Sequence, residues 1–387
     1  MRRVYFDNSA TTPILPEVLA AMQPYFAEQF GNASSIHHHG QETRAAVERA
    51  RRSVAALLGC RVPEIVFSSG GTESDNLALF GTVHEGDHVI TSTIEHHAVL
   101  NCCKHLEDEG CEVTFVPVDG TGRVDPDDVR RALRANTRLI SVMMANNETG
   151  VVQPVEEIGR IAAEADVCFH TDAVQAAGKL PIDVEKIGCD LLSISGHKIH
   201  APQGVGALYV RKGTKLAPML FGGRHERSRR AGTENVPGIV ALGKAAELAR
   251  QGLDAGEDQK LAALRDRLEH ALLRIESTAV NGSDAPRVPN IVNVAFDGIE
   301  GEALVIALDL KGLAVSTGAA CSSGAIEASH VLMAMAMGSD RARASLRFSL
   351  GKQNTEDELD FAIALVPETV ARLRELSPAW IGEPLRK

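Results

Sequence analysis

Leu191-Leu192-Ser193-Ile194-Ser195-Gly196-His197-Lys198 is the stretch on which the fold of this chain turns. Its first half is a short, mostly apolar run with the length of a buried strand. Its second half is a turn of small and polar residues that ends on a lysine. Desolvation and nearby positive charge would keep such an amine neutral, the form that builds a Schiff base with a carbonyl. A turn lysine is more often a solvated surface residue, so Ser195–Lys198 has to be read with its surroundings.

Outward from it, short apolar runs alternate with amphipathic stretches from about Glu64 to Val210. Strands are expected at Glu64–Phe67, His88–Thr91, Cys111–Val118, Leu139–Met143, Val167–His170 and Asp190–Ile194, and a helix at Glu73–Val83. This order predicts an α/β fold, a mainly parallel sheet with helices on both faces. Three more polar turns follow expected strands, and the carboxyl ends of strands are where open α/β sheets bind ligands. In His170-Thr171-Asp172-Ala173-Val174-Gln175, the Asp172 carboxylate can pair with a protonated ring nitrogen and Gln175 can reach a ring substituent. Helix capping would use the same aspartate. Ser69-Gly70-Gly71-Thr72-Glu73-Ser74 offers backbone N–H groups and a helix N-terminus to a phosphate, although a plain capping turn has the same composition. In Glu95-His96-His97 an imidazole can stack on a ring and move protons near neutral pH. Four such turns on one sheet edge outweigh the ordinary reading of each.

Val47, Ala50, Val54, Leu57 and Leu58 recur at helical spacing before Gly59, a natural stop. A helical segment from Val236 to about Glu276, interrupted near Gly252–Gly256, leads to a smaller α+β unit. Strands are expected there near 290–296 and 345–349, with helices near 300–309, 326–336 and 355–375. A chain of 387 residues is long enough for two domains. The expected division is 15–255 for the large domain, with 1–14 and 256–387 forming the small one.

A net charge of -11 argues against a nucleic-acid surface, which would be basic. The start, Met1-Arg2-Arg3-Val4-Tyr5-Phe6-Asp7-Asn8, turns polar before an apolar signal core can form. No apolar run approaches the ~20 residues of a membrane span, so a cytoplasmic protein is expected. Seven cysteines with no CxxC pair fit neither a disulfide framework nor a common zinc site. Cys111, Cys168 and Cys189 lie in or beside strand-like runs and read as buried. Cys102 and Cys103 are expected on a helix, one buried and the other less so, and His37-His38-His39 reads as a solvated turn. Cys321 differs: Ser316-Thr317-Gly318-Ala319-Ala320-Cys321-Ser322-Ser323-Gly324 surrounds it with small residues, which favours an unburied sulfur on a mobile backbone.

Together these motifs resemble the NifS/IscS-type cysteine desulfurases, within the class V aminotransferase group of the type I pyridoxal-phosphate fold. The likeness runs through Tyr5–Thr12, Phe30-Gly31-Asn32, Ser69–Asn76, Glu95–Leu100, Asn146–Gly150 and His170–Gln175. It continues through Ser195–Lys198, Arg230–Asn235, Ser316–Ser323, Leu346–Ser349 and Leu376–Pro378. It implies pyridoxal 5′-phosphate as cofactor, attached through Lys198, with Asp172 on the ring nitrogen and His96 stacked on the ring. Gln175 and Asn147 would contact the ring edge, and Gly71, Thr72, Ser195 and His197 the phosphate. Thr233 would complete the phosphate site of the other subunit in a homodimer. Arg347, with Asn147, would hold the carboxylate of L-cysteine, and Lys198 or His96 would move its α-proton. Cys321 would take the sulfur as a persulfide, leave L-alanine, and pass the sulfur to an acceptor such as an iron–sulfur scaffold protein. No metal of its own is expected; the implied encounter is a transient one between Cys321 and a cluster on that scaffold.

Thr317 and Ala319 stand where the family pattern more often has serines, and Ala33 replaces a proline, so loop behaviour and partner choice are open to change. Selenocysteine lyase and aminotransferase activities are the neighbouring readings, and a non-catalytic sulfur-assembly scaffold is a more distant one. Lys198, Asp172 and Cys321 count against the scaffold, which needs none of them.

Overall fold

Strand β1 (Val4–Tyr5) opens the chain, and the next seven strands form the central sheet of the computed structural model. These are β2 (Ile65–Ser68), β3 (His88–Ser92), β4 (Glu112–Val116), β5 (Thr137–Ser141), β6 (Cys168–Asp172), β7 (Leu191–Ser195) and β8 (Gly206–Val210). The structure describes residues 2–317, 328–378 and 380; Cys321 and Ala319 lie outside them. Sheet order is β2-β8-β7-β6-β5-β3-β4. Six strands point one way, and β8 runs antiparallel to both β7 and β2, pairing Leu191 with Val210 and Ser195 with Gly206. The carboxyl ends of the other six therefore share one edge with the start of β8. An antiparallel neighbour needs no crossover helix, so Lys198 sits in a connection of ten residues, 196–205, between β7 and β8.

Helices on both faces follow from the sequence pattern. In His38–Leu58 the buried stripe includes Val47, Ala50, Val54 and Leu58, and Gly59 ends the helix at φ 68. That stripe packs on helix Val236–Asp254. At their crossing a Cβ on Gly243 would lie 2.4 Å from the Ala50 Cα, so only glycine allows the approach. The break expected near Gly252–Gly256 falls at Ala255–Gly256, before helix Glu257–Leu272.

The remaining strands are β9 (Thr278–Val280), β10 (Ile291–Phe296), β11 (Leu313–Ala314) and β12 (Ser345–Ser349). An antiparallel sheet places β10 between β9 and β12. Strand β1 returns to this region and pairs in parallel with β11, while Asp7 bridges to Ser349. Phe6, Phe296, Leu304, Leu308, Leu346, Phe348 and Leu359 fill a core separate from that of the central sheet. Helices Gly301–Leu310 and Glu356–Leu376 cover it. Of the helix expected near 326–336, the described residues show His330–Ala334.

Three expectations are corrected. Cys168, the first residue of β6, is half-buried, while Cys111 and Cys189 are buried as expected. Cys102 and Cys103 are both buried, because helix His97–Asp108 turns Val99, Cys102, Cys103 and Leu106 inward as one i, i+3, i+4, i+7 stripe. His37-His38-His39 is exposed but is not a plain turn: the His37 ring accepts the Gly40 N–H and starts helix His38–Leu58.

Candidate active site

The four turns singled out in the sequence do meet at the carboxyl edge of the sheet. Gly71 opens a ten-residue helix directly after β2. A Cβ there would come within 2.9 Å of Val174 and 3.6 Å of the Ser195 Cβ. Small residues at 70 and 71 thus let the helix N-terminus of Thr72 lie against both the Asp172 turn and the β7 end. Ser195 is buried, and His197 Nδ1 lies 3.2 Å from Thr11 Oγ1. Hydroxyls, N–H groups and an imidazole around a helix N-terminus suit an anion.

Asp172 ends β6 and is 6% exposed. Its Oδ1 accepts the Val174 N–H at 2.8 Å, so the capping role and the site role fall on one carboxylate. Burial pushes its acid up to about 6, against the opposing pull of that N–H and of Lys198. Asp75, buried on helix Gly71–Phe80, is raised too, first by burial and then by Asp172. Two buried acids with few donors leave room for a cationic partner. His170 lies behind them, between Ser141 at 2.9 Å and Ser193 at 3.0 Å, and burial pulls it down to about 3.

Lys198 Nζ donates to the carbonyls of Ser9 at 2.5 Å and Ala10 at 2.7 Å. Gln175 Nε2 donates to the same Ser9 carbonyl at 3.0 Å, while its Oε1 is buried without a hydrogen-bond partner among the described residues. Residues 7–12 are therefore part of the site floor, and Tyr5 Oη pins them by donating to the carbonyls of Asp7 and Thr11. His96 caps helix His97–Asp108, its Nδ1 accepting the Ala98 N–H at 3.1 Å. The neutral ring must then carry its proton on Nε2. Burial, and next the charge of Lys198, pulls His96 down to about 4, so it is neutral at physiological pH.

Arg347, on β12, is 3% exposed. Its Nη2 donates to Asp7 Oδ1 at 2.7 Å and its Nη1 to the Asn147 carbonyl at 2.8 Å. Its Nε is buried without a hydrogen-bond partner among the described residues. The residue after Asn147, Glu148, accepts from Ser329 Oγ at 2.5 Å. Thr233 is not brought into the cluster; it is exposed on this chain's surface. Asp7, Asp75 and Glu148 were not singled out in the sequence. All three lie inside quoted motifs, but acids there look like surface residues until the fold encloses them.

A sheet edge that gathers a lysine amine, a buried acid, a neutral imidazole and an anion-binding helix start defines a class: the chain belongs to the aminotransferase class-V family, whose model matches residues 4–361. Within that family it is similar to a protein named cysteine desulfurase IscS from Methanosarcina thermophila. The two are 52% identical over 381 residues, which is 97% of this chain and 94% of the relative. Among solved structures it is similar to a NifS-like protein, with a TM-score of 0.89 and 38% identity, covering 96% of this chain and all of that one. It is also similar to one described as SspA in complex with cysteine, with a TM-score of 0.81 and 36% identity, covering 91% and 99% of the two chains. The fold is that of the type I pyridoxal-phosphate enzymes. The residues present fit pyridoxal 5′-phosphate: Asp172 is a buried acid beside Lys198, Gln175 Oε1 has no hydrogen-bond donor among the described residues, and the Gly70-Gly71 cradle would be obstructed by any side chain at 71.

Proposed function

We propose that this chain is a cysteine desulfurase, taking sulfur from L-cysteine onto Cys321 and releasing L-alanine. Lys198 would hold pyridoxal 5′-phosphate, with Asp172 on the ring nitrogen, His96 on the ring face, Gln175 and Asn147 on its edge, and Gly71, Thr72, Ser195 and His197 around the phosphate. The cofactor supplies an electron-accepting ring that makes the substrate α-proton acidic.

Arg347 takes the substrate carboxylate. Its Nε–H is the donor that still needs an acceptor, and Asp7 and the Asn147 carbonyl fix its plane. The α-proton goes to Lys198 Nζ rather than His96. The Nδ1 lone pair of His96 is spent on the Ala98 N–H, and its Nε2 already carries a proton. Cys321 then attacks the substrate sulfur as thiolate. The new S–S bond forms as the C–S bond breaks, its electron pair moves to carbon, and returned protons complete alanine.

The observation that carries this reading is the pairing of Ser316 with Arg347. It anchors the chain five residues before Cys321 at the carboxylate clamp. The other six cysteines give no competing nucleophile. Burial raises every one of their thiols, with Cys60, Cys102 and Cys168 pushed up to about 12. The test is to supply purified protein with L-cysteine and a thiol reductant: sulfide and alanine in equal amounts support the reading, and alanine without sulfide rejects it.

A homodimer completes the site. Phe26, Phe30, Ile36 and Phe221 are large apolar side chains left exposed, Phe221 at 88%, and a second copy would cover them and bring in Thr233. Sedimentation of an active monomer would overturn this. The acceptor is a sulfur-carrying partner protein such as an iron–sulfur scaffold. The working division is residues 15–255 as the large unit and 1–14 with 256–387 as the small one. Among the described residues no helix is long and apolar enough to cross a membrane.

A further inference from the structure

Lys179 is a second lysine at the base of the site, and the chemistry above does not use it. It ends the tight turn that Asp172 begins. Ala176 and Ala177 donate to the Ala173 carbonyl, Lys179 donates to the Ala176 carbonyl, and Gly178 adopts φ 70. The Lys179 side chain is 9% exposed. Its Nζ donates to the backbone carbonyl of Lys198 at 3.5 Å, and among the described residues no carboxylate lies within ion-pair distance of it. Both lysines line one cavity of about 70 Å³, bounded by the end of helix Val236–Asp254 and by residues 350–352. The other charged or titratable groups lining it are His200, Lys352, Glu257 and Asp258.

A buried ammonium without a carboxylate partner is costly unless it serves something. Burial, and next the charge of Lys198, pulls Lys179 down to about 7. The same field acts in return on its neighbours: burial and then Lys198 lower His197, with Lys179 a further cause, and Lys179 also contributes to the lowering of His200. A cation set beside a lysine is one way to keep that lysine uncharged and nucleophilic.

We infer that Lys179 is a positioning residue for Lys198, holding its backbone carbonyl and, when charged, favouring the neutral amine at Lys198 Nζ. The inference rests on Lys198 being the residue that binds pyridoxal 5′-phosphate. The experiment is a pH titration of the visible absorption band of the cofactor–lysine linkage in native holoenzyme, Lys179→Met and Lys179→Arg. The Met variant should titrate with its midpoint raised by roughly one pH unit, the scale of a neighbouring like charge removed. The Arg variant, permanently charged, should have a midpoint at or below the native one. If the Met variant does not fold, the Arg variant decides alone, and its midpoint must then lie below the native value. Midpoints unchanged in the variants that fold, or raised equally in both, overturn the role of Lys179. A native protein with no visible band would instead overturn the assignment of Lys198.

Discussion

Ser316 and Arg347 exchange a pair of backbone hydrogen bonds, Arg347 N–H to the Ser316 carbonyl at 2.6 Å and Ser316 N–H to the Arg347 carbonyl at 3.2 Å. Ser329 is tied to Glu148, whose neighbour Asn147 receives the Arg347 guanidinium. The chain that leaves toward Cys321 and the chain that comes back from it are thus fastened to the same few residues that orient Arg347. In the proposed mechanism, carboxylate recognition and sulfur acceptance share one mount.

Replacing Cys321 by serine should leave the cofactor band and its response to added cysteine intact. Alanine release should fall roughly 100-fold or more, because a hydroxyl is essentially un-ionised near neutral pH and attacks sulfur poorly. Mass spectrometry of the native protein after cysteine treatment should find one added sulfur on the peptide containing Cys321. That mass on Cys102 or Cys103, with the serine variant still active, would reject the mechanism.

Arg347→Ala should bind the cofactor and lose kcat/KM by roughly 30-fold or more, the lower end of the ~2–5 kcal/mol that a desolvated charge pair is worth. Asp7→Asn keeps the arginine but removes the charge that aligns it, so its loss should be smaller and fall mainly on KM. Steady-state kinetics on both variants checks the order. Equal KM values for native and Arg347→Ala would remove Arg347 from the carboxylate.

His96→Phe should still exchange the α-proton of a bound amino acid with solvent deuterium, whereas Lys198→Ala should not. With its pKa held near 4, His96 should contribute no ionisation to the pH profile between 5 and 8. Proton NMR of the exchange reaction is the measurement. Exchange that survives in Lys198→Ala and vanishes in His96→Phe would reverse the assignment.

Glu95 gives a stability prediction. Its buried carboxyl accepts from Ser92 Oγ at 2.5 Å and from the Met143 N–H at 3.0 Å, and burial raises it from 4.5 to about 8. The fold favours the protonated acid, so this contribution is complete below about 4.5 and is lost as pH rises through 8. Glu95→Gln keeps an oxygen for both donors and cannot ionise. Urea unfolding at pH 5 and pH 8.5 should therefore show the variant gaining on the native protein as pH rises. A stability difference that stays constant would disprove the shift.

The strands β2 to β7 were legible because each is a short apolar run closed by a turn, and the four chemical turns fell at their ends. Strand β8 was passed over as a separate element. Gly206–Val210 is as apolar as its neighbours, but local pattern carries no direction, and the reversal against β7 is a pairing fact. The floor of the site was hidden for a related reason. Ser9 and Ala10 contribute carbonyls rather than side chains, so residue identity gives no sign that they would receive Lys198. Lys179, in Gly178-Lys179-Leu180, looks like any surface lysine until the turn after β7 and the end of helix Val236–Asp254 enclose it. The two inward cysteines of helix His97–Asp108 were readable from spacing once Val99 and Leu106 are counted with them.

The return of the first strand to the far end of the chain has a consequence for biosynthesis. The Ser9 N–H reaches Ser349 Oγ, 340 residues later, and β1 finds its partner only at Leu313–Ala314. At 5–20 residues per second a ribosome takes roughly 20–70 s to cover that distance. Throughout that interval the central sheet can form while the segment whose carbonyls receive Lys198 lacks the anchors that β11 and β12 supply. A nascent chain therefore carries the lysine and the acid but not the finished pocket, and the capacity to handle cysteine sulfur arises only when synthesis is nearly over.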